Sequence, residues 1–252
     1  MARPGTLLAA FVAFQLAAFA PAAALQAPVA EADARLEQAR ELVRLINPFG
    51  PMVALNVLGW EAGVSATLAL DPSMVNLEAQ YPGAGKAGIA AARPVARSFC
   101  EAFVAKGLEQ KAGMFARQLN KAELEELIQF FRSPTGTRVV GSMLRNADVV
   151  AMAGAVSRQQ AETGNGAISA ATVAQTERDA LRKTLGQISA EDRIVLMRFE
   201  QRPVAPKYAA AVAESERAML ELVNSPDPVW MQKISESLRD GVLAFIDRGK
   251  SL

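Results

Sequence analysis

The sequence predicts an all-α protein of stacked helical hairpins, an irregular helical bundle that follows an N-terminal signal peptide. Three observations lead there. Apolar residues recur at three- and four-residue spacing along most of the chain, the period of one helix face. The breaks between these runs carry helix caps and prolines rather than hairpin turns. Alternating apolar and polar runs bounded by turn residues, the mark of half-buried strands, are missing.

Residues 1–24 read as the signal peptide. Arg3 supplies the positive start, and Leu7 to Ala20 is an apolar run interrupted only by Gln15. Pro21 and the small residues Ala22, Ala23 and Ala24 then offer a cleavage site before Leu25. The alternative is an uncleaved N-terminal anchor. A span needs about 20 apolar residues, and this run is shorter and ends at a proline. The rest divides at Gly164-Asn165-Gly166 into a helical region over 25–164 and another over 165–252.

Glu31 to Ile46 is an amphipathic helix with Leu36, Ala39, Val43 and Ile46 on one side. Asn47-Pro48 and Gly50-Pro51 end it. Met52 to Leu70 is the most apolar segment after the signal, with Glu61 as its sole charge. Val53, Val57, Trp60, Glu61 and Val64 form its candidate ligand or membrane face. A full span is disfavoured, because a carboxylate near mid-membrane costs about 2.5–3.5 kcal/mol on insertion scales. Asp71 to Arg93, with Pro72, Pro82, Gly83, Gly85 and Gly88, reads as a loop. Gly83-Ala84-Gly85-Lys86 resembles a phosphate loop only superficially, since Gln80 and Ala87 stand where that motif needs glycine and a hydroxyl. Pro94 to Arg117 is the next helix, with Ala96, Phe99, Cys100, Phe103 and Val104 on its apolar side.

The most specific stretch is Leu119 to Val140. Asn120 is suited to an N-cap, and Glu123 stands where its carboxylate can reach back to the Asn120 amide. Leu124, Leu127, Ile128 and Phe131 follow on one face. Ser133-Pro134 closes this helix and opens the next, with Ser133 as cap and Pro134 at the first position. Gly136 falls where the two helix axes come close, while Phe130, Phe131 and Leu127 fill the inside of the corner. The second helix of the corner is expected from Thr135 to about Glu162, burying Val140, Met143, Leu144, Ala147 and Val150. Asn120, Glu123, Leu127, Phe130, Phe131, Ser133, Pro134 and Gly136 are therefore read as structural residues.

The pattern Glu123-Leu124, Phe130-Phe131, Ser133-Pro134-Thr135-Gly136 resembles that of the bacterial family called domain of unknown function 2059. The likeness covers about Ala96 to Gly154, and the family more often has tyrosine where Phe131 stands. The resemblance implies an exported, all-helical protein, and with it a periplasmic location. It brings no activity, and so no catalytic residue.

The C-terminal region follows the same grammar. Ile188-Ser189, Asp192, Leu196, Phe199 and Pro203 match Leu119-Asn120, Glu123, Leu127, Phe130 and Pro134 at one constant offset. A degenerate repeat would give this, and so would two corners obeying the same capping rules. Helices over Lys207 to Val223 and Pro228 to Arg248 complete the chain, the last with a stripe of Trp230, Ile234, Leu238, Val242 and Phe245.

Composition narrows the chemistry. Histidine is absent, which removes the commonest general base and metal ligand. The single cysteine, Cys100, allows no internal disulfide and reads as a small core residue. Lys and Arg number 27 against 26 Asp and Glu, and loss of Arg3 with the signal would make them equal. So even a balance gives no case for nucleic acid. Glu123, Glu125 and Glu126 are placed to complement a helix dipole, and Glu61 is the one carboxylate set in apolar sequence. No catalytic residue, cofactor or metal site is assigned. The expected function is a non-enzymatic periplasmic protein that binds an unknown envelope protein or itself. The alternatives are a lipid or apolar-ligand binder at the membrane surface through 52–70, and a histidine-free hydrolase.

Overall fold

The computed structural model describes residues 29–249, and the expected signal peptide lies outside them. Among the described residues every regular element is a helix: α1 Val29–Ile46, α2 Phe49–Leu70, α3 Pro72–Gln80, α4 Ala84–Gln118, α5 Lys121–Arg132, α6 Pro134–Asn146, α7 Val149–Thr163, α8 Ala170–Gln187, α9 Ala190–Glu200, α10 Val204–Val223 and α11 Pro228–Gly249. The all-α reading therefore holds.

Element boundaries differ from expectation in several places: Gly50 and Pro51 lie in the first turn of α2, α10 begins at Val204 rather than Lys207, and three further differences have local reasons. Asp71–Arg93 is not a loop. The Asp71 carboxylate accepts hydrogen bonds from the Ser73 and Met74 amides, and Pro72 takes the first helical position, so the pair opens α3. The alanines of 84–92 then carry α4 through Pro94. Pro94 and Ala90 both face outward, so the carbonyl that proline leaves without a donor is open to water. Last, the long helix expected from Thr135 to Glu162 is two helices. Asp148 accepts a hydrogen bond from the Ala151 amide and caps a fresh start after Asn146, which leaves Val150 47% exposed. Gly164, with a positive φ of 71°, ends α7.

The chain forms two compact units. The first contains the described residues up to Pro51, then Ala105–Ala147 and Ser169–Glu221. Its core is large and aromatic. Leu42 and Val43 of α1 pack with Phe115 and Leu119 of α4, Leu124, Leu127 and Phe131 of α5, and Tyr208 and Val212 of α10. α1 lies along α5, and α6 lies along α8. A second cluster joins Val139, Ile188 and Leu196. Phe131 has its ring centroid 5.1 Å from that of Phe130 and 5.6 Å from that of Tyr208.

The second unit contains Met52–Val104, Asp148–Ile168 and the described residues from Leu222. Gly164 and Asn165 lie inside it. Its core has a seam of small residues along α4. Along α4, Ala84, Ala92, Ala96, Cys100 and Val104 are buried at multiples of four. α11 crosses them so closely that a Cβ on Gly241 would stand 2.4 Å from that of Ala91 and 3.0 Å from the Ala87 carbonyl oxygen. Ala84, Val242 and Ile246 form a cluster flanked by Leu77, Leu238 and Phe245.

Candidate functional site

The corner is built as its sequence implies. Asn120 Oδ1 accepts from the Glu123 amide at 3.0 Å, and Glu123 Oε2 accepts from the Asn120 amide at 2.8 Å. Ser133 ends α5 and begins α6, its hydroxyl accepting from the Gly136 amide at 3.1 Å. A side chain on Gly136 would place its Cβ 2.3 Å from the Phe130 carbonyl oxygen, so only glycine fits inside the turn. Leu127 and Phe131 are fully buried, while Phe130 is half-buried and stacks on Phe199 at 4.0 Å. Glu123 goes on to pair with Lys207, and Glu126 pairs with Arg202 at 3.0 Å. Glu125 faces solvent.

Beside the corner, Arg138, Ser142, Arg145, Gln187, Ser189 and Asp192 line a groove of about 510 Å³. Its strongest feature is already satisfied internally. Asp192, 3% exposed, accepts from Thr135 Oγ1 at 2.6 Å and from Arg138 Nε at 3.0 Å. The Arg138 guanidinium, then the Thr135 hydroxyl, hold the Asp192 carboxyl well below the usual carboxylate range.

Among the described residues one carboxyl is strongly displaced in the opposite sense, and it was not singled out from the sequence. Glu216 of α10 is 8% exposed, and its Oε2 has no hydrogen-bond partner. Burial, and then the charge of Glu177, push its carboxyl up to about 9, while Lys111 pulls the other way. Burial in turn lowers the Lys111 ammonium, which lies 5.8 Å from the Phe115 ring centroid. The signal was present: Tyr208, Val212 and Glu216 share one face of α10, an acid placed on an apolar stripe. Among the described residues no group of three His, Cys, Asp or Glu side chains is placed to hold a metal.

The second unit presents the more unusual surface. α2 is long and apolar enough to cross a membrane by length and composition, with a mean hydropathy of 1.4, yet only 6% of that apolar window is buried. Pro134–Thr163 passes the same test, but it is the broken pair α6 and α7. Of the expected face, Val53 is buried, and Val57, Trp60, Glu61 and Val64 are half-buried. The outward stripe lies elsewhere, on Ala54, Leu58, Ser65 and Ala69, with Leu58 46% exposed. Glu61 does not sit among apolar groups. Arg93 of α4 donates to both of its oxygens, at 2.5 and 3.2 Å.

What seats α2 is a set of small residues not singled out from the sequence. Cβ atoms on Gly59 and Gly63 would stand 3.7 Å from those of Val149 and Ala153 in α7, and Ser157 donates to the Gly63 carbonyl at 3.1 Å. The four-residue spacing of Gly59 and Gly63 was the available clue. The glycine-rich turn before α4 is also accounted for. Its Gly83 and Gly85 amides donate to the Glu78 carboxylate at 2.6 and 3.0 Å, and these bonds lower that carboxyl's pKa.

The sequence model of the family described as an uncharacterized protein conserved in bacteria, domain of unknown function 2059, matches residues 109–161. That segment runs from the C-terminal part of α4 through the corner into α7. It begins and ends somewhat later than the expected Ala96 to Gly154. No curated protein and no solved structure matches the chain.

Proposed function

We propose that this is an exported, non-enzymatic helical protein that binds an apolar helix of an envelope protein through the outward side of α2. The observation that carries the reading is a 22-residue apolar helix in which Val53 alone is buried. Large apolar surface left open on a soluble domain marks a binding surface. The outward stripe alternates small residues with Leu58, which suits the close approach of a second helix. A lipid-surface helix would carry lysine and arginine on its polar face, and α2 has neither. Membrane-surface binding is kept as the second reading, because the length and hydropathy of α2 match it.

The test is Leu58→Glu, which charges the stripe without entering the core. The variant is expected to keep its melting temperature and lose its partner in a pull-down from envelope extract, with bound proteins and lipids both identified. A photo-crosslinking residue at position 58 should join the protein recovered. Recovery of lipid without protein would favour the second reading. Equal recovery by both forms, with no crosslink at position 58, would sink both readings.

A further inference from the structure

Two ion pairs in the first unit have a relation that neither shows alone. Glu123 of α5 pairs with Lys207 of α10, and Arg138 of α6 pairs with Asp192 of α9. The offset that carries Glu123 onto Asp192 also carries Arg138 onto Lys207. The acid of each corner therefore meets the base of the other. Phe130 also stacks on Phe199, its own equivalent, with centroids 4.0 Å apart and planes 17° apart. A residue that faces its own equivalent lies on a two-fold axis, and the exchange of contacts on either side is the rule of an isologous interface.

More follows at the same offset. Asn120 and Ser189 each cap their helix by accepting from the amide of Glu123 and of Asp192 respectively. α4 and α8 end at Gln118 and Gln187, and Leu119 and Ile188 are buried just after them. Gln118 bonds to Glu214, while their equivalents Gln187 and Arg145 line one groove. Shared capping rules explain likeness within each corner. They give no reason why charges should be exchanged between corners.

We propose that the C-terminal part of α4 with α5 and α6, and α8 with α9 and α10, are two copies of one helical unit paired as an internal dimer. The face carrying Glu123, Phe130 and Arg138 is then a self-complementary docking surface, and its partner is a second copy of the same unit. In this chain the second copy is supplied by the chain itself. The copies have diverged on the opposite side. α1 covers α5 there and buries Leu124 and Ile128, whereas their equivalents Arg193 and Met197 are exposed. The pairing side has kept its order of acid, ring and base.

Charge reversal on one copy tests this without touching α2. In Glu123→Lys/Arg138→Glu, Lys faces Lys207 and Glu faces Asp192, so the pairing within the chain is opposed twice. The changed face remains complementary to another changed face, and the unchanged face to another unchanged one. The variant is expected to melt about 5 °C or more below the wild type and to double its mass in light scattering. Adding Asp192→Lys/Lys207→Glu should return both mass and melting temperature to the wild-type values. A two-site variant that melts lower but keeps the wild-type mass would overturn the self-complementary face. If that variant precipitates, the four-site variant decides. Recovery supports the internal dimer, and failure to recover overturns it.

Discussion

The two units fill their cores by opposite means. The first uses rings and long aliphatic chains: Phe115, Phe131, Leu42 and Leu127 are among its largest fully buried side chains. The second brings backbones together over glycine and alanine, with Gly88 and Gly241 nearly touching where α4 and α11 cross. A core of large residues leaves a cavity when one is cut back, and a core of small ones is forced apart when one is enlarged. Truncation should therefore damage the first unit and enlargement the second.

The sharpest way to break the comparison is Phe131→Ala. The ring is 2% exposed, and its loss should cost about 3–5 kcal/mol in denaturant titration followed by near-ultraviolet circular dichroism. An unchanged melting temperature with lost binding would instead make the ring a recognition element. Gly241→Ala should come next. On an open helix the change would stabilise by about 1 kcal/mol, but here the new methyl meets Ala91 and is expected to cost about 1–3 kcal/mol. Gly186→Ala, with nothing within 4 Å of its added Cβ, is the control and should leave stability level or raise it.

Two acids sharpen the comparison through pH. Glu216 holds its proton in the folded chain up to about pH 9, whereas it ionises near 4.5 when unfolded. Between those values the folded state binds the extra proton, so this contribution to stability is complete below about 4.5 and is lost as pH rises towards 9. Glu216→Gln should therefore raise the melting temperature at pH 8 and do little at pH 4. Lys111, Glu177 and Tyr208 are the charged and titratable groups around it. Asp192 works in the other direction. Its folded pKa is depressed, so its contribution is present above about pH 4 and fades as the solution becomes more acid. Asp192→Asn should flatten the acid limb of the stability curve. Glu125→Gln, on the solvent side of α5, should change the melting temperature by less than about 1 °C.

Local chemistry was what the sequence made legible. Asn120, Glu123, Ser133 and Pro134 act on backbone groups within a few residues, so their pattern could be read and the corner followed from it. The same rule was available at Asp71-Pro72, but the glycines downstream pointed to a loop, and tertiary packing of Gly88 against α11 overrode them. Asp148 sat in an apolar run whose periodicity suggested one helix, and its capping bond to Ala151 decided otherwise. The exchanged ion pairs and the stacking of Phe130 on Phe199 depend on partners far along the chain. No spacing rule reaches that far. The outward side of α2 was out of reach for a related reason, since an almost uniformly apolar helix gives no stripe by which to orient it.

Cys100 offers a clock for the second unit. It is 3% exposed, and burial, helped by the neighbouring Glu101 charge, pushes its thiol up to about 11. Alkylating reagents attack the thiolate, so the closed form should be nearly inert at neutral pH. Modification then has to wait for α4 to part from its neighbours, and its rate reports the free energy of that opening. With one cysteine in the sequence, that rate needs no deconvolution, and it can be measured while the melting temperature of the whole chain is held constant.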